Sequence, residues 1–185
     1  MQLFYIRRPG VASGANDLDA AFIRMRAFEE SPSTPRVQWL HSYALREPDG
    51  RLGLACLFQA DSAQALRRHA DVTRLPAAEI VPVARTLAVR AFAPTRVHLI
   101  RRRSAWNGAA EVERAAAAAR DVADIDMPLQ VSWLRSHIVN EHDGALGSVC
   151  LYQAVDTEAL TGHAQRAGLP VDEIVPVLGR IVFRQ

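Results

Sequence analysis

The pattern of apolar and polar positions in this chain occurs twice, with an offset of 94 residues. Residue 1 aligns with residue 95, and the alignment continues without a gap to residues 91 and 185. Several segments are identical in both copies, among them WL at 39 and 133 and EIVPV at 79 and 173. Two copies are too few for a solenoid, which needs about three units or more, so the sequence predicts two small domains, 1–91 and 95–185.

Each copy has a hydrophobic pattern that predicts the element order βαββαβ. A short apolar run at 3–6 indicates a first strand, and Leu18, Phe22 and Met25 recur at helical spacing. Their counterparts in the second copy are the smaller Val112, Ala116 and Ala119. Two strand-like runs then flank an Asp-Gly pair, which is a strong hairpin signal. The order is that of a ferredoxin-like sandwich, so the predicted class is α+β with two such sandwiches in tandem.

The hairpin pattern also predicts which residues share a face of the sheet. With Glu47 placed opposite Leu52 at the turn, Tyr43 lies opposite Cys56, and His137 lies opposite Cys150 in the second copy. The face that carries Trp39 is then the one that the helices leave open. Because such a face would expose too large an apolar patch, we expect the two copies to bury these faces against each other as a pseudo-twofold pair.

Composition restricts the choice of partners and compartment. All 22 basic residues are arginine and are nearly balanced by 20 acidic residues, so the chain lacks the excess positive charge of a nucleic-acid-binding protein. No apolar stretch approaches the length of about 18 residues that a membrane span needs, and the first residues do not form a signal peptide. We therefore predict a cytoplasmic protein with no nucleic-acid or membrane partner. The run Arg101–Arg103 is interpreted as a charged strand exit.

Cysteine and histidine are the residues that could bind a metal. Each copy has one cysteine, and the predicted register brings His41 within a diagonal step of Cys56 and sets His137 directly across from Cys150. Imidazole and thiolate both suit nickel or zinc, so a site for a transition metal on this face is one hypothesis. The alternative is that each cysteine is a small buried hydrophobe, because the chain has neither a C-x-x-C nor an H-x-x-x-H motif.

His69 and His163 occupy the same position in the two copies and are candidate third ligands. They lie in the last turn of a helix that is expected to cover the other face of the sheet. There, a histidine commonly interacts with the carbonyl groups that end the helix. A structural role is therefore the alternative to metal binding for both.

Other functions are less well supported by the sequence. Ser42 and Ser136 are assigned to the helix-packed face, which argues against nucleophiles, and the third strand lacks the aromatic residues of an RNA-recognition fold. A noncatalytic protein is favoured over an enzyme. The alternatives are a small-molecule-binding or enzymatic barrel with a pocket between the two sheets, and an interaction scaffold. Further homo-oligomerisation is compatible with the sequence.

The strings WLHSY, CLFQA, ALRRHA and LPAAEIVPV resemble a family of small bacterial ferredoxin-like domains described as nickel-binding. The resemblance covers residues 37–83 and recurs at 131–177. It implies a domain that is either nickel-binding or of uncharacterised function, and that usually occurs singly and dimerises. Our leading hypothesis is therefore noncatalytic binding of Ni²⁺ or a similar transition metal. This chain looks like that dimer fused into one polypeptide.

The resemblance also implies which residues bind the metal. Its motif residues match His41, Cys56 and His69 in the first copy, and Cys150 and His163 in the second. In the second copy Arg135 stands at the position of the strand histidine, and His137 stands at that of the motif tyrosine. The second site is therefore either rebuilt around His137 or lost.

Overall fold

The computed structural model describes residues 1–30, 36–88 and 96–182, and both copies have the predicted order βαββαβ. The first copy consists of β1 (Gln2–Ala12), α1 (Ala15–Glu29), β2 (Val37–Arg46), β3 (Leu52–Ala60), α2 (Ala63–Thr73) and β4 (Glu79–Ala88). The second consists of β5 (Arg96–Trp106), α3 (Ala109–Asp121), β6 (Val131–Asn140), β7 (Leu146–Ala154), α4 (Thr157–Arg166) and β8 (Glu173–Val182). A π-helical turn, Val122–Asp126, continues α3. The linker 91–95, and with it the predicted boundaries of the two domains, lies outside the described residues.

The chain divides into two compact units that do not follow the repeat boundaries strictly. Unit 1 contains Met1–Val83 and Val177–Gln185, and unit 2 contains Ala84–Pro176. In unit 1, β3 lies between β1 and β2, and the first half of β4 pairs with β1. The second half of β8 belongs to this unit and pairs with the other side of β2.

Unit 2 repeats the same strand order. Its β7 lies between β5 and β6, and the first half of β8 pairs with β5. All of these pairs are antiparallel, as in a ferredoxin-like sheet. The fold class is thus confirmed as α+β with two tandem βαββαβ repeats.

The predicted hairpin register is wrong by one residue in both copies. Cys56 lies opposite Ser42 rather than Tyr43, and Cys150 lies opposite Ser136 rather than His137. The cause is the turn. Glu47 pairs with Arg51 through its backbone, which leaves a three-residue loop that ends in Gly50 with a φ of 83°. Three-residue loops of this kind place glycine in the left-handed conformation, whereas the prediction, with Glu47 opposite Leu52, assumed a loop of four residues.

A shift of one residue moves every side chain of a strand to the opposite face. The helices α1 and α2 therefore cover the face that carries Ser42, Ala44 and Cys56. Trp39 also lies on this face, because a register shift between Trp39 and His41 restores it there, and it is 4% exposed. The prediction that Trp39 lies on the open face is wrong for this reason. Mutual covering of the two copies stays a prediction.

A buried ion pair fixes the turn end of each hairpin. In unit 1 the Arg7 guanidinium donates two hydrogen bonds of 2.8 Å to the Glu47 carboxylate. In unit 2, Arg101 and Glu141 form the equivalent pair, also at 2.8 Å. The carboxylate of Glu47 occupies the space in which a Cβ atom at Gly53 would lie, so a larger residue at position 53 would displace the ion pair. Arg101 is fully buried, which corrects its interpretation as part of a charged strand exit.

None of the helices in the described ranges combines the length and the apolar character that a bilayer-spanning helix requires.

Candidate binding site

An arginine and a cysteine lie side by side between sheet and helices in unit 1. Arg8 and Cys56 are both fully buried, and their side chains are hydrogen-bonded. Arg8 Nη1 donates to the carbonyl of Leu75, and Nη2 lies 3.4 Å from Nδ1 of His69. Burial raises the pKa of the Cys56 thiol, although Arg8 and Ser42 oppose this shift. Cys56 therefore stays protonated at neutral pH, as an inert core cysteine does.

Unit 2 contains the corresponding arginine and cysteine with a different set of contacts. Arg102 Nη1 donates to Cys150 Sγ at 3.3 Å, and Ser136 Oγ donates to the same sulfur at 2.7 Å. Cys150 Sγ in turn donates a hydrogen bond to Ser148 Oγ at 3.3 Å. A sulfur that donates a hydrogen bond is a protonated thiol. Trp133 Nε1 donates to Ser136 Oγ at 2.9 Å, as Trp39 does to Ser42 in unit 1. A hydrogen-bonded chain thus connects Trp133 to Cys150.

The two helical histidines lie on the same face of the sheet as the cysteines, which corrects the prediction that they lie on the opposite face. The ring of His69 packs between Phe28 and Phe58, with centroids 4.8 and 5.1 Å away. Burial, together with the charge of Arg8, lowers the pKa of His69 to about 3. His163 contacts the carbonyl oxygen of Ala119 at 2.8 Å through Nε2, and burial again lowers its pKa. Both histidines are neutral members of the core.

The two strand histidines lie on the other face and cannot join the cysteines. His41 pairs with Leu57, next to the Ser42–Cys56 pair, so its side chain projects away from Cys56. Its ring makes an edge-on contact with Tyr43 at 5.2 Å. His137 pairs with Val149, and its Nδ1 lies 2.9 Å from Thr86 Oγ1. The structure therefore separates His41 and His137 from the other four candidate ligands.

These positions do not fit a nickel ion at the predicted site. Within the described part of the chain, no three His, Cys, Asp or Glu side chains come together as metal ligands. Cys56 and His69 share a face, but the cationic Arg8 contacts both of them. A metal ligand must also be a thiolate, whereas burial favours the protonated Cys56. The cysteine and histidine positions are better explained as core packing.

A cavity lies between α3 and the sheet of unit 2. Its cavity volume is about 30 Å³, and it opens into a larger space of about 320 Å³ that includes open solvent. Its walls are mainly apolar and include Trp106 and Trp133, with Ala116 and Ala119 of α3. Its polar groups come from one place on the sheet: Arg102, Ser136, Ser148 and Cys150. Predominantly apolar walls are typical of small-molecule sites.

The cavity follows from side chains that differ between the copies. In unit 1, Phe22 stacks on Trp39 with ring centroids 5.4 Å apart, and Met25 is fully buried in the core. At the aligned positions unit 2 has Ala116 and Ala119. These alanines lack the aromatic ring that stacks on the tryptophan in unit 1. In unit 2 the Arg120 guanidinium lies over the Trp133 ring instead, with Cζ 5.7 Å from the ring centroid, and the cavity lies beside the two alanines.

Sequence reasoning missed the main residues of this cavity. It noted that α3 has smaller residues than α1 but did not infer a void, and it treated Arg102 as a solvent-exposed charge. A signal was nevertheless present. An arginine follows the first apolar run at the same position in both copies, as Arg8 and Arg102, while the first helix carries bulky Phe22 and Met25 in the first copy and alanines at the aligned positions of the second.

Comparison with known proteins identifies a family. The model of the family described as "Nickel responsive protein SCO4226-like" matches residues 10–83 and 98–177. A search among curated proteins gives no match. Among solved structures, an anthrone oxidase-like protein has 11% identity and a TM-score of 0.47, with coverage of 98% of this chain and 93% of its own. A dye-decolorizing protein from V. cholerae has 9% identity and a TM-score of 0.45, with coverage of 97% and 92%.

Proposed function

Because the chain belongs to the family of SCO4226-like nickel responsive proteins, and because its second repeat contains a cavity that the first repeat fills, we propose that it is a noncatalytic binding protein for a small molecule. The observation that carries the proposal is the loss of Phe22 and Met25 at the aligned positions Ala116 and Ala119. Large-to-small changes in a core reduce stability. Binding of a small molecule in the resulting cavity would give the smaller side chains a function despite this cost.

The cavity can be tested with a small neutral probe and the tryptophan indole signals in NMR spectra. Butyramide should shift the signals of Trp106 and Trp133 in a saturable manner and leave that of Trp39 unchanged, because only the first two line the cavity. The variant A116F/A119M introduces the residues of the first copy and should abolish the response. The matched control is A117I, which introduces the first-copy residue Ile23 at an exposed position of α3. An equal response in A116F/A119M would contradict the proposal.

Nickel binding is a second candidate function, and the family supports it. The geometry argues that Cys56 and Cys150 do not serve as its ligands. We therefore expect any rise in melting temperature caused by Ni²⁺ to be the same in the parent and in the double variant C56S/C150S. Thermal unfolding with and without Ni²⁺, on untagged protein, measures this difference. Loss of the shift in the variant would show that the cysteines bind the ion after all.

A further inference from the structure

Arg102 is a buried cation with unused hydrogen-bond donors at the cavity of unit 2. Its side chain is 1% exposed, and Nη1 donates to Cys150. Its Nε and Nη2 atoms have no hydrogen-bond partner among the residues that the structure describes. Buried polar groups are normally satisfied, and a buried charge is normally paired, so free donors on a buried guanidinium indicate a missing partner.

The equivalent arginine of the first copy differs at one atom: among the described residues, Nε has no hydrogen-bond partner in either arginine, whereas Nη2 has one in Arg8 and none in Arg102. Arg8 donates to the Leu75 carbonyl and contacts His69 through Nη2. In the second copy the residue aligned with Leu75 is Leu169, which lines the cavity instead of accepting a bond from Arg102. An Nη2 atom without a hydrogen-bond partner is therefore not a general property of the fold. It coincides with the cavity.

The neighbours of Arg102 supply no negative charge. Across residues 1–30, 36–88 and 96–182, no carboxylate forms an ion pair with it. The Tyr152 hydroxyl is a hydrogen-bonding neighbour of Arg102, but burial raises the pKa of this phenol, so the group remains neutral and supplies no charge. Ser136 and Ser148 add hydroxyl groups to the same end of the cavity. An anion from solution would be the counter-charge that this end lacks.

We infer that the cavity of unit 2 binds the carboxylate of a short-chain aliphatic acid, with Arg102 as the residue that receives the anion. This inference rests on the proposed function. The guanidinium presents two N–H groups in the geometry that a carboxylate accepts. The apolar side chains of Trp133, Ala116 and Ala119 would contact the aliphatic part. The limited volume restricts the acid to a few carbon atoms.

The experiment compares butyrate with its neutral isostere butyramide on the full chain, followed through the Trp133 indole signal. Hydrogen bonds between ionised groups are markedly stronger than neutral ones, so butyrate should bind at least about tenfold more tightly. In R102M this preference should disappear, so that butyrate binds no more tightly than butyramide. Methionine is a suitable replacement because exchanging a buried charge for an apolar side chain of similar length is often tolerated.

Each outcome distinguishes the inference from the proposed function. Equal affinities for butyrate and butyramide in the parent would overturn the inference and leave the proposed function intact, and this comparison requires no variant. A preference for butyrate that persists in R102M would also overturn it. If neither probe gives a saturable shift, the proposed function itself fails.

Discussion

Replacement of Glu47 with alanine is expected to destabilise the folded chain by about 3–5 kcal/mol, the usual cost when one member of a buried ion pair is removed. Glu47 accepts both of its 2.8 Å hydrogen bonds from Arg7, and the two side chains are 8% and 4% exposed. Alanine would leave a buried guanidinium without this carboxylate. Urea denaturation of the full chain, monitored by circular dichroism, measures the loss.

Two further variants make this test specific. E30A removes a surface ion pair with Arg26 whose members are 65% and 61% exposed, and it should cost less than about 1 kcal/mol. The double variant R7M/E47L removes both charges and should recover much of the stability that E47A loses. If E47A is no more costly than E30A, the buried pair does not stabilise the hairpin in the way described.

The free energy of unfolding is expected to fall as the pH is lowered from about 7 towards 4. His69 has a folded-state pKa of about 3, whereas its unfolded value is near the ordinary 6.5. As the pH falls, His69 therefore takes up a proton in the unfolded chain before it does so in the folded chain. The stability associated with His69 is complete above pH 6.5 and is lost as the pH falls through the window from 6.5 to 3. His98 and His163 have pKa values lowered in the same direction by burial.

One carboxyl group opposes this trend. Burial raises the pKa of Glu29 to about 7 from its ordinary 4.5, although the hydrogen bond from the Trp39 N–H acts against the shift. The stability that protonated Glu29 contributes is complete below pH 4.5 and is lost as the pH rises through 7. Three histidines outweigh it, so the net change on acidification is a loss.

The measurement is the slope of unfolding free energy against pH between 6.5 and 4.5. H69F replaces the ring with an apolar ring among Phe28 and Phe58 and should lower the slope by about one proton per chain. E29Q removes the opposing carboxyl group and should steepen the slope. An unchanged slope in H69F would mean that His69 takes up its proton in the folded state as readily as in the unfolded one.

The repeat and the order of elements could be predicted from the sequence because they depend on local signals. Apolar spacing distinguishes α1 from β2, and the Asp49-Gly50 pair marks the turn. The register could not be predicted in the same way. Whether Glu47 pairs with Arg51 or with Leu52 is decided by one left-handed glycine, and this single choice assigns Cys56 to one face or the other.

The cavity of unit 2 was harder to predict because it depends on side chains that are smaller than their counterparts in unit 1. Arg8 and Arg102 are both polar in any hydropathy profile, yet both are fully buried, and no local signal in the sequence reveals this. Ala116 and Ala119 are ordinary helix formers by propensity. Their effect is visible only when the tryptophan below them is known to be Trp133, and this requires the packing of α3 against the sheet.

The alanines of α3 illustrate a difference between a tandem chain and a symmetric dimer. In a tandem chain, one repeat can change without the other. In a dimer of identical chains, any substitution that opens a cavity opens it twice, and the assembly loses about 2–5 kcal/mol at each place. When both repeats lie in one polypeptide, their mutations accumulate separately. Met25 can therefore stay in a filled core while the aligned position 119 carries alanine, so one half can change its packing while the other keeps it.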